Sequence, residues 1–250
     1  METKDFEYKS KDIEYKYDNI VQIDDSANVR KFMANVFMWM FVALGISAVC
    51  SYEFATNPQL LSLLYDPATG SSTGLSIVVM LAPFAFILAI SFGLQRMSYP
   101  VLMVLFIAFS AVMGISLSWI LLAYTAGSVL AVFVTTSVVF GTMAIAGYTT
   151  QRDLTSFGSL LIAGLWGIII ASLVNMFLHS TQLDYIISYV GVAVFVGLTA
   201  YDVQKLKQLA ASEDFDGTLK SKLGLVGALN LYLDFVNLFL MLLRLFGRRR

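Results

Sequence analysis

The sequence predicts an all-α integral membrane protein with seven transmembrane helices, and three observations carry that reading. Of 250 residues, 58% are hydrophobic and only 13% charged, whereas soluble domains carry roughly 25% charged residues; too few are left to cover a water-facing surface. Seven stretches approach the ~20 apolar residues that cross a bilayer. The charges are also segregated. Met1 to Lys31 holds eight acids and six bases, and the segments after it are nearly bare. With a net charge of −1 and no basic patch, nucleic acid is not an expected partner.

Taken in order, residues 1–31 are expected to be a solvated, cytoplasmic tail, because they hold too few apolar side chains to fold alone. The triplet EYK recurs there at Glu7 to Lys9 and Glu14 to Lys16. The opening METKDFEYKS puts acids where a secretory signal carries bases, so the first span is expected to direct insertion. Residues 32–250 form the expected membrane domain. Its spans are Phe32 to Tyr52, Leu75 to Leu94, Val101 to Ala123, Val129 to Gly147, Phe157 to Leu178, Tyr185 to Tyr201 and Leu223 to Leu243. Pro83 lies inside the second and suggests a kink, while Pro100 opens the third as a helix start. Tyr52, Tyr99, Tyr124, Tyr148 and Tyr185 stand at run ends, where ring and hydroxyl suit the headgroup level.

Two connections are long, Glu53 to Gly74 and the charged Gln204 to Lys222. The single Cys50 excludes an internal disulfide and reads as a packing residue. His179, the one histidine, lies in a short connection without the companions a metal site needs. Asn175, inside the fifth span, suggests a hydrogen bond between helices.

Orientation follows from Lys and Arg, which collect in cytoplasmic segments. The tail carries six of them, the second loop Arg96, the fourth Arg152, and the sixth Lys205, Lys207, Lys220 and Lys222, while the first, third and fifth loops carry none. The tail and even loops are therefore expected in the cytoplasm of a bacterial inner membrane. The end of the chain breaks the pattern. Seven full spans place Arg244, Arg248, Arg249 and Arg250 outside, so the last segment either spans against the rule or is re-entrant. Its length and the bias of the six earlier spans favour full spanning.

That last segment also carries Asp234 near its middle, at a cost of about 2.5–3.5 kcal/mol for an acid at the helix centre. The acid must face protein or trapped water. Asn230, Asp234, Asn237, Met241 and Arg244 are spaced to share one helix face, and Gly224, Gly227 and Ala228 permit close approach of other helices. The last helix is thus expected to be buried in the bundle with a polar seam. Asp202, in GLTAYDVQKLK, lies at the cytoplasmic end of the sixth span. Two carboxyls that meet in a poorly solvated place cannot both ionise easily and share a proton. Their oxygens also suit a hard cation such as calcium, with Asn230 and Asn237 as supplementary polar groups along an ion path.

At these positions, in GLTAYDVQKLK and in ALNLYLDFVNLFLMLLRLFG, the sequence resembles the Bax inhibitor-1 family. The resemblance implies a fold in which two groups of three helices wrap a central last helix. It also implies a pH-sensitive calcium leak channel, in which the acids matching Asp202 and Asp234 form a hydrogen-bonded, proton-controlled pair, and it makes this pair the candidate calcium ligands. A second-helix arginine contacts the pair in the family, and Arg96 is the candidate here. Arg244 matches the family pattern about 15 Å beyond Asp234 and is a candidate for an ion pair at the far side, although the second span holds no acid to receive it.

Calcium then enters as the transported ion, with no cofactor and no enzymatic activity expected. Bacterial relatives also suggest another reading, a modulator of a membrane-anchored ATP-dependent protease that uses the tail as its handle. A third is an intramembrane aspartyl protease of the presenilin kind. Tyr201 and Asp202 fit its first motif, but Leu233 stands before Asp234 where its later motif requires Gly, and no Pro-Ala-Leu element follows.

Overall fold

The structure is a computed structural model that describes residues 2–66, 71–212 and 217–250, with side chains from residue 27 onward. Most of the reading of residues 1–31 as a solvated tail therefore lies outside the described side chains. Among the described residues eight helices follow one another: α1 (Glu2–Thr56), α2 (Pro58–Leu64), α3 (Gly74–Gly93), α4 (Tyr99–Ala123), α5 (Ala126–Thr149), α6 (Thr155–Leu178), α7 (Thr181–Ala211) and α8 (Gly217–Phe246). All but α2 contain a stretch long and apolar enough to cross a membrane, the one in α1 running Ala27–Thr56. The chain is an all-α, multi-pass membrane protein.

Local chemistry sets many of the boundaries. Asn57 caps α2 by accepting from the Gln59 amide, with Pro58 in the first turn, and Thr73 caps α3 through the Ser76 amide. Pro100 sits in the first turn of α4, where its missing N–H costs nothing. Helix α3 runs on through Pro83. Between α2 and α3 the long first connection forms a two-stranded hairpin, β1 (Tyr65–Asp66) and β2 (Ser71–Ser72). His179 ends α6 at φ 51°, a left-handed conformation that closes the helix without glycine.

Helix α8 is the axis. Its most apolar window is 72% buried, against 11% for α6 and 17% for α3. It packs on α1, α4, α5 and α7, while α3 leans on α4 and α6 on α7. Two groups of three, α1-α3-α4 and α5-α6-α7, thus flank the last helix. The core around it includes Val36, Met40, Phe106, Phe109, Phe140, Leu231, Tyr232 and Leu238. Phe109 and Phe235 meet their neighbours edge-on, Phe109 against Tyr232 and Phe235 against Phe133 and Phe140.

The bundle has two ends. The near end gathers the α3–α4, α5–α6 and α7–α8 connections, and the far end gathers the α1–α2–α3, α4–α5 and α6–α7 connections. Helix α8 reaches the far end. Its 30 residues span about 45 Å at 1.5 Å per residue, more than the ~30 Å hydrocarbon core. Beyond it, the Arg248 carbonyl accepts from the Thr125 amide at 2.9 Å and the Arg250 amide donates to the Ala123 carbonyl at 3.0 Å. The last segment is one unbroken helix from the near end to the far end, long enough for a full span and without the turn-back of a re-entrant loop, and its arginines lie with the connections that hold no Lys or Arg.

Candidate functional site

Helix α7 overruns the sequence-predicted span by ten residues, from Tyr201 to Ala211. Hydropathy stops at Asp202, Lys205 and Lys207, but the buried face continues through Val203, Leu206 and Ala210. Lysine stems lie along apolar surface while their ends reach out. Lys207 shows this, its Nζ donating to the Tyr148 carbonyl at 2.8 Å and lying 5.0 Å from the Tyr148 ring centre. Asp202 is therefore nine residues inside its helix and not at its end, and the sixth connection shrinks from Gln204 to Lys222 to a short link after α7.

Small residues bring the helices together around it. Gly147 of α5 packs on the backbone of Ala200, where any Cβ would overlap the chain, and Gly158 of α6 faces the Tyr201 ring. On α8, Gly227 receives Leu206, and Gly191 of α7 receives Met241. The register set by these two contacts puts Leu198 and Thr199 across from Asp234. Asp202 lies about one helical turn, ~5 Å, nearer the near end.

The two acids are consequently neighbours in a staggered arrangement. The charge of Asp202 acts on Asp234, and Lys205 acts on Asp202. No hydrogen bond joins the carboxyls among the described residues. Asp234 is 7% exposed, and its Oδ2 is enclosed with no hydrogen-bond partner. Asp202 is half-buried. A buried carboxyl oxygen without a donor is costly; among the described residues Ser118 Oγ is the other buried side-chain atom without a partner.

The predicted polar seam is present but displaced. Met241 and Asp234 point into protein, whereas Asn230 is exposed and Asn237 and Arg244 are half-buried. With Val226, Leu233 and Leu240, these last three form a strip along α8 that neighbouring helices cover only in part. Asp234 stands beside the strip, one turn from Asn230 and just under one from Asn237. Neither amide makes a hydrogen bond among the described residues.

Arg96 is not brought to the acids. Helix α3 ends at Gly93, and Arg96 is exposed in the following turn, its amide bonded to the Gly93 carbonyl at 3.0 Å. The cation near the pair is instead Lys205, from the helix of Asp202 itself. The hydrogen bond that actually ties the α3–α4 connection to α8 is weak, from Lys222 Nζ to the Leu94 carbonyl at 3.5 Å. As for calcium, no group of three or more His, Cys, Asp or Glu side chains gathers among the described residues.

Arg244 finds a far-side partner, as its position suggested, but on α7 and not on α3. It lies 3.6 Å from Asp184. Asp184 also accepts from Asn175 Nδ2 at 2.7 Å, and Asn175 Oδ1 accepts from the Ser180 amide at 3.0 Å. Asn175 is thus the interhelical hydrogen bond that its place in an apolar run suggested.

Three arrangements escaped sequence reasoning. The Asp184 link is one; its only local signal is an acid in the first turn after Ser180. The second is Ser47, whose Oγ lies 2.7 Å from both the Ser110 carbonyl and the Tyr232 hydroxyl, joining α1, α4 and α8 deep in the core. The third is Gln204. Its Oε1 accepts from the Leu154 amide and its Nε2 donates to the Arg152 carbonyl, both at 2.8 Å, which fastens the α5–α6 connection to α7 beside Asp202.

A family model described as inhibitor of apoptosis-promoting Bax1 matches residues 29–250, nearly the whole described bundle. The chain belongs to the Bax inhibitor-1 family. Among relatives, the inner membrane protein YbhL of Escherichia coli K12 is 43% identical over 93% of this chain and 97% of its own length. A Borreliella burgdorferi protein of uncharacterised function is 44% identical over 88% of this chain and 93% of its own. An uncharacterised membrane protein of Streptococcus pyogenes serotype M6 is 31% identical over 92% and 98%. In this Bax inhibitor-1 member, two acids lie on the last two helices and Asp184 ties the far end together.

Proposed function

We propose that this protein is a pH-sensitive leak pathway for calcium or another cation in a bacterial inner membrane, with its N-terminus in the cytoplasm, without enzymatic activity and without a resident cofactor. The reading is carried by one observation: the enclosed Asp234 Oδ2, which has no donor and faces the charge of Asp202. A proton on Asp234 removes the repulsion between the two carboxyls and spares the buried charge. Losing it leaves two anions at the edge of the partly covered strip of α8, where a cation supplies the missing counter-charge. Protonation state and cation occupancy are then alternatives at a single place, and a path along Asn230 and Asn237 opens or closes with them.

Localisation rests on the seven apolar helices and on the inner membrane relative, and orientation on the lysines and arginines of the tail and near-end connections. The test is efflux from calcium-loaded vesicles containing the full chain, with parent and Asp234→Asn compared from about pH 6 to about pH 8. The parent is expected to change its flux across that range and the amide variant to lose the change. Equal pH profiles would remove the gate.

A further inference from the structure

A second, unrelated cavity opens toward the far end, where the two three-helix groups part. Helices α4 and α5 hardly touch beyond the turn that joins them, and between α1, α4, α5 and α8 they leave a crevice of about 540 Å³. That volume lies within the ~300–1,000 Å³ typical of small-molecule sites. Leu44, Leu117, Leu121, Val129, Phe133 and Phe239 form its apolar walls. It opens sideways at Val49 and Phe133, which are 63% and 41% exposed on the membrane-facing surface.

Its chemistry is one-sided. Glu53, at the end of α1, is the only charged residue that lines it, and no Lys or Arg does. Glu53 is exposed and makes no ion pair among the described residues. The last carbonyls of α1 add negative partial charge there, and the adjacent exposed Tyr52 places this rim at headgroup depth. From Glu53 inward to Leu44 the crevice follows α1 for about 13 Å, at 1.5 Å per residue.

We propose that the crevice holds one acyl chain of an aminophospholipid of the phosphatidylethanolamine kind, with the lipid's primary ammonium bound by the Glu53 carboxylate. A chain entering from the side fills the apolar walls. A primary ammonium donates charge-assisted hydrogen bonds to a carboxylate, which a choline headgroup lacks N–H groups to do. An anionic headgroup meets the repulsion of both Glu53 and the helix end. The retention order is therefore ethanolamine over choline over glycerol headgroups.

Native mass spectrometry of the full chain, purified in detergent and exposed to equal amounts of phosphatidylethanolamine, phosphatidylcholine and phosphatidylglycerol with identical chains, tests this. The parent is expected to retain the ethanolamine lipid about tenfold over the glycerol lipid, a ratio that Glu53→Gln brings close to one. Leu121→Trp, which fills the crevice, lowers retention of the ethanolamine lipid while leaving the thermal midpoint near that of the parent, and Ala48→Trp replaces it if the first variant does not fold. Equal retention of the three lipids by the parent, or an undiminished preference in Glu53→Gln, overturns the proposal.

Discussion

The acid pair and the far-end clasp sit on the same two helices and handle charge in opposite ways. Around Asp184 the polar groups are matched: Arg244 and Asn175 both reach it, and the Arg248 backbone is held by Thr125 and Ser128. About five turns along α7, Asp202 and Asp234 lie staggered with no hydrogen bond between them, and one carboxyl oxygen has no donor. A satisfied network fixes a geometry. An unsatisfied one leaves a choice of occupant, proton or cation, and proteins keep such a cost at places that work. The difference is one of role: the far end fastens α8 to its neighbours, and the middle responds.

The strongest way to break this contrast is to pull α7 away from the acids' support. Gly147→Leu forces a side chain into the Ala200 backbone and is expected to cost about 3 kcal/mol or to prevent folding, read as a fall in thermal midpoint. A variant of full stability would mean that the close approach of α5 and α7 does not hold Asp202 in place. Next comes the far end. Asp184→Ala leaves the buried Asn175 amide without its acceptor and frees the half-exposed Arg244, at a cost of about 1–2 kcal/mol, most of it from Asn175, since exposed ion pairs contribute little. Its pH profile of cation efflux should match the parent's. A changed profile would show that the two regions are one device.

Asp234→Asn sharpens the contrast from the other side. It replaces an uncompensated carboxyl with a neutral group of the same shape, so its midpoint at neutral pH is expected to rise, by up to about 1 kcal/mol, while the pH response disappears. A destabilised Asp234→Asn would mean that the acid is structural. The smallest effect belongs to Asp153, outside the spans, whose carboxylate accepts from the Thr155 amide at 2.9 Å. That hydrogen bond holds its pKa below the usual carboxylate value. The stabilisation is therefore present above the ordinary carboxylate value and lost as pH falls through the lowered one. Asp153→Asn should lower neutral stability slightly, lose that part of the parent's decline on acidification, and leave efflux unchanged.

Much of this arrangement is legible in the linear chain, and the parts that are not have a common cause. Apolar length marks the seven spans, and the small residues before Asp234 together with its cost in lipid mark α8 as the buried axis. The end of α7 is hidden because a hydropathy window counts charges and not the directions in which lysines leave the helix; Lys207 leaves along Tyr148 and the helix continues beneath it. Partners distant in sequence are hidden as well. Nothing local to Arg244 distinguishes Asp184 from an acid on α3, and nothing local to Ser47 points to Tyr232. Arg96 fails as a partner because α3 ends three residues before it and the turn carries it outward.

The position of α8 also constrains how the molecule is made. Chains emerge from their N-terminus, so the helix on which α1, α4, α5 and α7 all pack is synthesised after the other six spans. The α1-α3-α4 and α5-α6-α7 groups must wait as two incomplete halves, and the segment after α8 can meet Thr125 and Ser128 only once that helix is in place. Assembly thus finishes with the central part, as a keystone is set into an arch already standing.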